Sequence, residues 1–213
     1  MIKGFKLWLG MVAALVGLQI LAALFLHRSF ALTAVSDIVQ CLLLLSGTAA
    51  IVPLVLRSVG RIRLFWVLIT LGLSFWLSYQ FFWTYCELIS RRDVPDLCAW
   101  DVVLFLHIAP LMAALALRPH VPRDEYSARV GRLDFALLFV WWLYLYVLIV
   151  MPWQYVVPDV PTYNHNLNDL YLAEKAAFLL GLLACWLTSK GEEWRRLYIS
   201  LFGMSVCYSA GSA

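Results

Sequence analysis

Charge is scarce in this sequence. Only 14% of its 213 residues are Asp, Glu, Lys or Arg, whereas 63% are hydrophobic. Soluble domains hold about a quarter charged and about half apolar residues, so both departures argue against a soluble domain of any class. The 16 Lys and Arg against 13 Asp and Glu leave a net charge of only +3, too little to point to a nucleic-acid partner, and none is expected. Cysteine is sparse too, at five residues without zinc-type spacing. The histidines His27, His107, His120 and His165 never fall three or four apart, so no single helix offers a metal-binding pair. No nucleophile elbow, phosphate loop or metalloprotease signature occurs. The expectation is a chain that is not itself an enzyme and holds no metal and no cofactor. Internal repeats and low-complexity linkers are missing as well, so residues 1–213 read as one domain.

Long apolar runs are what the chain has in abundance. A helix needs about 20 such residues to cross the hydrocarbon core of a bilayer. Seven stretches qualify: Phe5–Leu26, Ala34–Leu56, Leu64–Leu88, Ala99–Leu117, Leu133–Met151, Leu167–Thr188 and Trp194–Ala213. The predicted fold class is therefore all-α, a polytopic transmembrane bundle of seven helices with the lipid bilayer as its partner. Ten Trp and ten Tyr suit a protein with two membrane–water interfaces. The first run follows Lys3 and Lys6 and ends near Ser29-Phe30-Ala31, as a signal peptide would. Its apolar core exceeds the about 7–15 residues usual for one, so it reads as a retained helix. The last run stops at Gly211-Ser212-Ala213 without a basic or aromatic boundary, so the bundle is expected to be truncated in or after its seventh helix.

Basic residues set the orientation. One side of the bundle carries Lys3, Lys6, Arg57, Arg61, Arg63, Arg118, Arg123, Arg129, Arg132, Lys190, Arg195 and Arg196; the other carries Arg28, Arg91 and Arg92. Positive charge is retained in the cytoplasm during insertion, which places the amino terminus inside.

Polar groups within the runs gather on the opposite, outer half. The second run has Asp37 and Gln40, the third ends in Trp76, Tyr79, Gln80, Trp83 and Glu87 at helical spacing, and the fourth opens on Trp100 and Asp101. The sixth opens with Asn166, Asn168, Asp169 and Tyr171 and continues into Glu174 and Lys175. Intramembrane charges are costly and usually face protein or water. The candidate ligand-binding set is Asp37, Gln40, Trp83, Glu87, Asp101, Tyr171, Glu174 and Lys175. Snorkelling to the interface and an aromatic belt account for the same pattern without a ligand. Lys175 lies deep, and Glu174 points about 100° away from it. It is expected to be buried against a carboxylate from another helix, with Asp37, Glu87 and Asp101 as candidates. A retinal Schiff base is rejected, because the lysine is not in the last helix. Ala173, Ala177, Gly181 and Cys185 form a small-residue stripe read as a buried face. Cys86 and Cys98 flank the third outer loop, where they are either a disulfide, the expected pairing in an oxidising compartment, or two free thiols.

The segments Trp83–Glu87, Asp101–Pro110 and Met112–His120 resemble the amino-terminal membrane region of bacterial signalling proteins, in which several helices precede a cytoplasmic GGDEF diguanylate cyclase or a histidine kinase domain. The resemblance implies a sensor in the bacterial inner membrane, with an unidentified small ligand and homodimerisation through the longer parent. The chain has neither a Gly-Gly-Asp-Glu-Phe motif nor a phosphoacceptor helix, so the resemblance carries no enzymatic activity over to it. Two other classes stay open: a transporter or membrane enzyme using the same outer cluster, and a structural assembly subunit. A transporter is expected to continue its polar groups through the midplane and to break its helices. The sequence displays neither feature.

Overall fold

The computed structural model describes residues 2–26, 29–92, 94–95, 97–121 and 126–211, without the side chains of 2–5, 126–131 and 207–211. The expectations for Lys3, Arg28, Arg123, Arg129 and the Ser212–Ala213 end lie outside the described residues or side chains. Among the described residues eight α-helices succeed one another: α1 Ile2–Phe25, α2 Phe30–Arg57, α3 Gly60–Thr84, α4 Asp101–Leu106, α5 Ile108–Ala116, α6 Tyr126–Leu145, α7 Val160–Thr188 and α8 Glu192–Gly211. Short π-helical segments extend α3 (Tyr85–Ile89) and α6 (Tyr146–Val150, then Pro152–Val156). No strand occurs among the described residues.

Among the described residues five segments are long and apolar enough to cross a membrane: Lys6–Phe25, Phe30–Arg57, Gly60–Ile89, Arg132–Val150 and Val160–Thr188. Two of the seven expected spans fall short of that measure. Asp101–Ala116 is a shorter apolar helix, rising about 24 Å against a hydrocarbon core of about 30 Å. It is also the most enclosed part of the bundle, with Phe105, Ala109, Ala113 and Ala114 fully buried between α3, α6 and α7. A helix lined by protein on all sides is relieved of matching the length of a lipid core. The other, α8, opens on Glu192 and Glu193 and carries Arg195 and Arg196, which dilute its apolar run.

Helix starts obey local chemistry. Ser29 is extended and its hydroxyl accepts from the Leu32 amide, which caps α2. The α2–α3 turn is closed by Gly60 at φ +57, a left-handed conformation that suits glycine. Helix α7 begins at Val160, well before the expected Leu167. Pro161 occupies the first turn, where its missing N–H costs nothing, and Thr162 donates to the Asp159 carboxylate at 2.5 Å. The prolines that read as a break are in part a helix start.

The interruption between α4 and α5 falls at His107. Pro110 cannot donate to the Leu106 carbonyl, and the His107 amide tightens onto the Leu104 carbonyl at 3.2 Å. The His107 ring adds a bond from Nδ1 to the same carbonyl, so Nδ1 carries the hydrogen. Helix α3 approaches this point closely because Gly72 has no side chain. A Cβ there would lie 2.7 Å from Leu111 Cδ2 and 2.9 Å from the His107 carbonyl oxygen. On the periphery, α1 buries little beyond Ala22, and Leu7, Leu24 and Phe25 are exposed.

Candidate functional site

The ends of the bundle differ in chemistry. One holds Asp37, Glu87 and Asp101, the other Arg61, Arg118 and His120, here termed the acidic and basic ends. At the acidic end three helices converge on Asp101, the first residue of α4, which is 8% exposed. Its Oδ1 accepts from the Tyr79 hydroxyl of α3 at 3.1 Å, and its Oδ2 accepts from the Tyr163 hydroxyl of α7 at 2.5 Å. Tyr146, from the π-helical end of α6, packs into the same cluster and donates to Gln154 Oε1 at 3.5 Å. The ring of Phe105 forms the floor, 5.4 Å from Tyr146 and 6.0 Å from Tyr171. A cavity of about 120 Å³ opens beside Tyr146 and Gln154, walled by Val102, Leu143 and Met151.

The π-helical segments found among the described residues all lie at this end, and they carry Glu87, Tyr146 and Gln154. An inserted residue rotates the remainder of its helix, so a π turn re-aims side chains that a regular helix would leave elsewhere. At Pro152 the cause is local, since the ring removes an amide from the α pattern.

A second carboxyl group sits apart from the first. Asp37 of α2 is 5% exposed, its Oδ2 has no hydrogen-bond partner among the described residues, and α2 packs against the π-helical end of α3 that carries Glu87. One turn deeper, Cys41 Sγ meets Thr84 Oγ1 at 3.3 Å.

Helices α4–α5 and α7 run parallel, and their register is set by matched contacts. Tyr163 meets Asp101, Tyr171 meets Phe105, and Gly181 and Cys185 meet Leu115. Glu174 and Lys175 therefore lie level with the His107 break, midway along the bundle. Glu174 is 1% exposed, its Oε1 has no hydrogen-bond partner among the described residues, and the Tyr171 hydroxyl one turn above is likewise buried and unpartnered.

The expected site thus divides. Asp101 is bonded by Tyr79 and Tyr163, Tyr171 packs on Phe105 with Glu174 one turn below, and Asp37 and Glu87 lie apart on α2 and the end of α3. Trp83 is half-buried and packs on Tyr79 at 5.9 Å. Gln40 is exposed on the outer surface of α2 and belongs to neither cluster. Lys175 is half-exposed, and the enclosed member of the adjacent pair is Glu174. The small-residue stripe is buried only in its second half: Ala173 and Ala177 are exposed, whereas Gly181 packs against Leu115 and Cys185 is buried, and the first half of α7 buries Tyr163, Leu167, Leu170 and Glu174 instead. Tyr163 joins the site, as does Tyr146, which was not expected there; the signal available for Tyr146 was its four-residue offset from Trp142 on a buried face. The fourth run is interrupted at His107, three residues before Pro110.

Cys86 and Cys98 are free thiols, not a disulfide. Cys98 is 4% exposed in the turn before α4, and burial holds its thiol above the usual range. A buried thiol with little thiolate is a poor partner for oxidation.

The basic end is a structural lock. Arg61 donates from Nη2 to the carbonyls of Pro119 (3.3 Å) and Val121, fastening the turn after α5 to α3. In that turn Arg118 adopts φ 44. His120 Nδ1 is hydrogen-bonded to the fully buried Tyr198 of α8 at 3.1 Å. Burial, and after it the charges of Arg118 and Arg61, hold the His120 imidazole below its usual range.

No family model, curated protein or solved structure matches this chain.

Proposed function

We propose that the chain is the membrane-embedded input module of a bacterial signal-transduction protein. In this reading seven helices cross the inner membrane with the amino terminus in the cytoplasm and the acidic end outward. The carrying observation is the convergence of Tyr79 and Tyr163 on Asp101. A small ligand bearing a cationic or hydrogen-bond-donating group would compete for that carboxylate, release Tyr163 and loosen the first turn of α7 from α4. The shift in packing is bounded by the ligand's differential affinity for the two arrangements.

The test uses the whole chain in lipid nanodiscs with a panel of protonated alkylamines and polyamines. At least one is expected to raise the melting temperature of the wild type and not that of Asp101→Asn. No shift from any amine, or equal shifts in both proteins, would remove the reading. Orientation is tested separately with cysteines placed at Arg123 and Pro158 in a Cys-free background. In intact cells an impermeant reagent is expected to reach the second and not the first.

A transporter is the second reading, favoured by the helix break at His107 beside Glu174 and Lys175. Interrupted helices and polar groups at mid-depth are what alternating access uses. Amine flux into proteoliposomes, lost in Glu174→Gln, would select it over the sensor.

A further inference from the structure

We infer that Glu174 is a proton-binding carboxyl in the interior of the bundle. This stands whether or not the Asp101 cluster takes a ligand. Glu174 sits at the centre of α7, on the same buried face as Tyr163, Leu167 and Leu170. It makes no ion pair and no hydrogen bond from Oε1 among the described residues. The neighbouring Lys175 is turned about 100° around the helix. A carboxylate whose buried oxygen receives no donor is costly to keep charged in such surroundings. A proton is the one ligand that neutralises it without needing a cavity.

The Tyr171 hydroxyl, one turn toward the acidic end, is buried and likewise has no hydrogen-bond partner among the described residues. Asp101 takes its two hydroxyl donors from Tyr79 and Tyr163. No hydrogen-bonded chain among the described residues therefore joins Glu174 to the acidic end in this packing, and the carboxyl keeps its proton.

Infrared spectroscopy of the whole chain in nanodiscs tests the inference. The carbonyl band of a protonated carboxylic acid is expected in the wild type, to move when glutamate is carbon-13 labelled, and to lose a component in Glu174→Gln. Should Glu174→Gln fail to fold, the labelled Glu87→Gln protein takes its place, and a glutamate band surviving there assigns the proton to the interior. Absence of any protonated glutamate band in the wild type, or a Glu174→Gln spectrum unchanged in that region, overturns the inference.

Discussion

The Tyr163 hydroxyl lies 2.5 Å from Oδ2 of Asp101, tying the first turn of α7 to the first turn of α4. The bond joins residues far apart in the chain and closes the acidic end of the bundle. Hydrogen bonds to a charged acceptor contribute about 1.5–3 kcal/mol each. Tyr163→Phe keeps the ring in its fully buried slot and removes only the donor. It is expected to lower the melting temperature in detergent, and by more than Tyr79→Phe, whose bond is longer at 3.1 Å. The reverse ranking would mean that Tyr79 carries the Asp101 contact.

Gly72 sets how closely α3 approaches the His107 break. Gly72→Ala would place a methyl group 2.9 Å from a backbone oxygen that cannot move aside cheaply. Overpacking of this kind costs about 1–3 kcal/mol. Gly47, where an added Cβ would meet nothing within 4 Å, is the control. Gly47→Ala is expected to be neutral or to stabilise by about 0.5–1 kcal/mol, through the better helix propensity of alanine. Equal melting temperatures for the two variants would contradict the close approach.

The imidazole of His120 is held below its usual range by burial and by Arg118 and Arg61. Its folded state therefore prefers the neutral ring, and the unfolded chain binds the extra proton. The stability this provides is present above the unfolded value, about 6.5. It is lost as pH falls through the lower folded value. Melting temperature measured against pH should thus decline on the acid side, and His120→Gln should flatten that limb. A wild-type profile with no such decline would argue that His120 stays protonated against its two arginines.

The two thiols at the acidic end differ in access. Cys86 is half-exposed in the π-helical end of α3, whereas Cys98 is buried. Maleimide labelling of the native protein, read by mass spectrometry, is expected to modify Cys86 first. Faster reaction at Cys98 would show that the turn before α4 opens readily.

Much of the architecture was legible in the chain. Apolar runs such as Ala34–Leu56 and Leu64–Leu88 declare their helices because each must satisfy its backbone internally over a long apolar length. The acidic and basic ends were legible because Asp37, Glu87 and Asp101 fall at one end of successive runs and the arginines at the other. Less was legible where one residue changes the local geometry. Pro161 reads as a breaker in the linear sequence, yet at the start of α7 it is favourable. The π turns at Tyr85 and Tyr146 have no marker of their own in the sequence.

By itself the sequence determined the helical class, the run lengths and the segregation of charge, because these depend on composition along one dimension. Tertiary structure decided which side chains meet. Glu174 and Lys175 are neighbours about 100° apart on one helix, and either could have faced the interior. Packing of Tyr163, Leu167 and Leu170 against α4 and α6 fixes the rotation of α7, and that rotation buries the glutamate and leaves the lysine half-exposed.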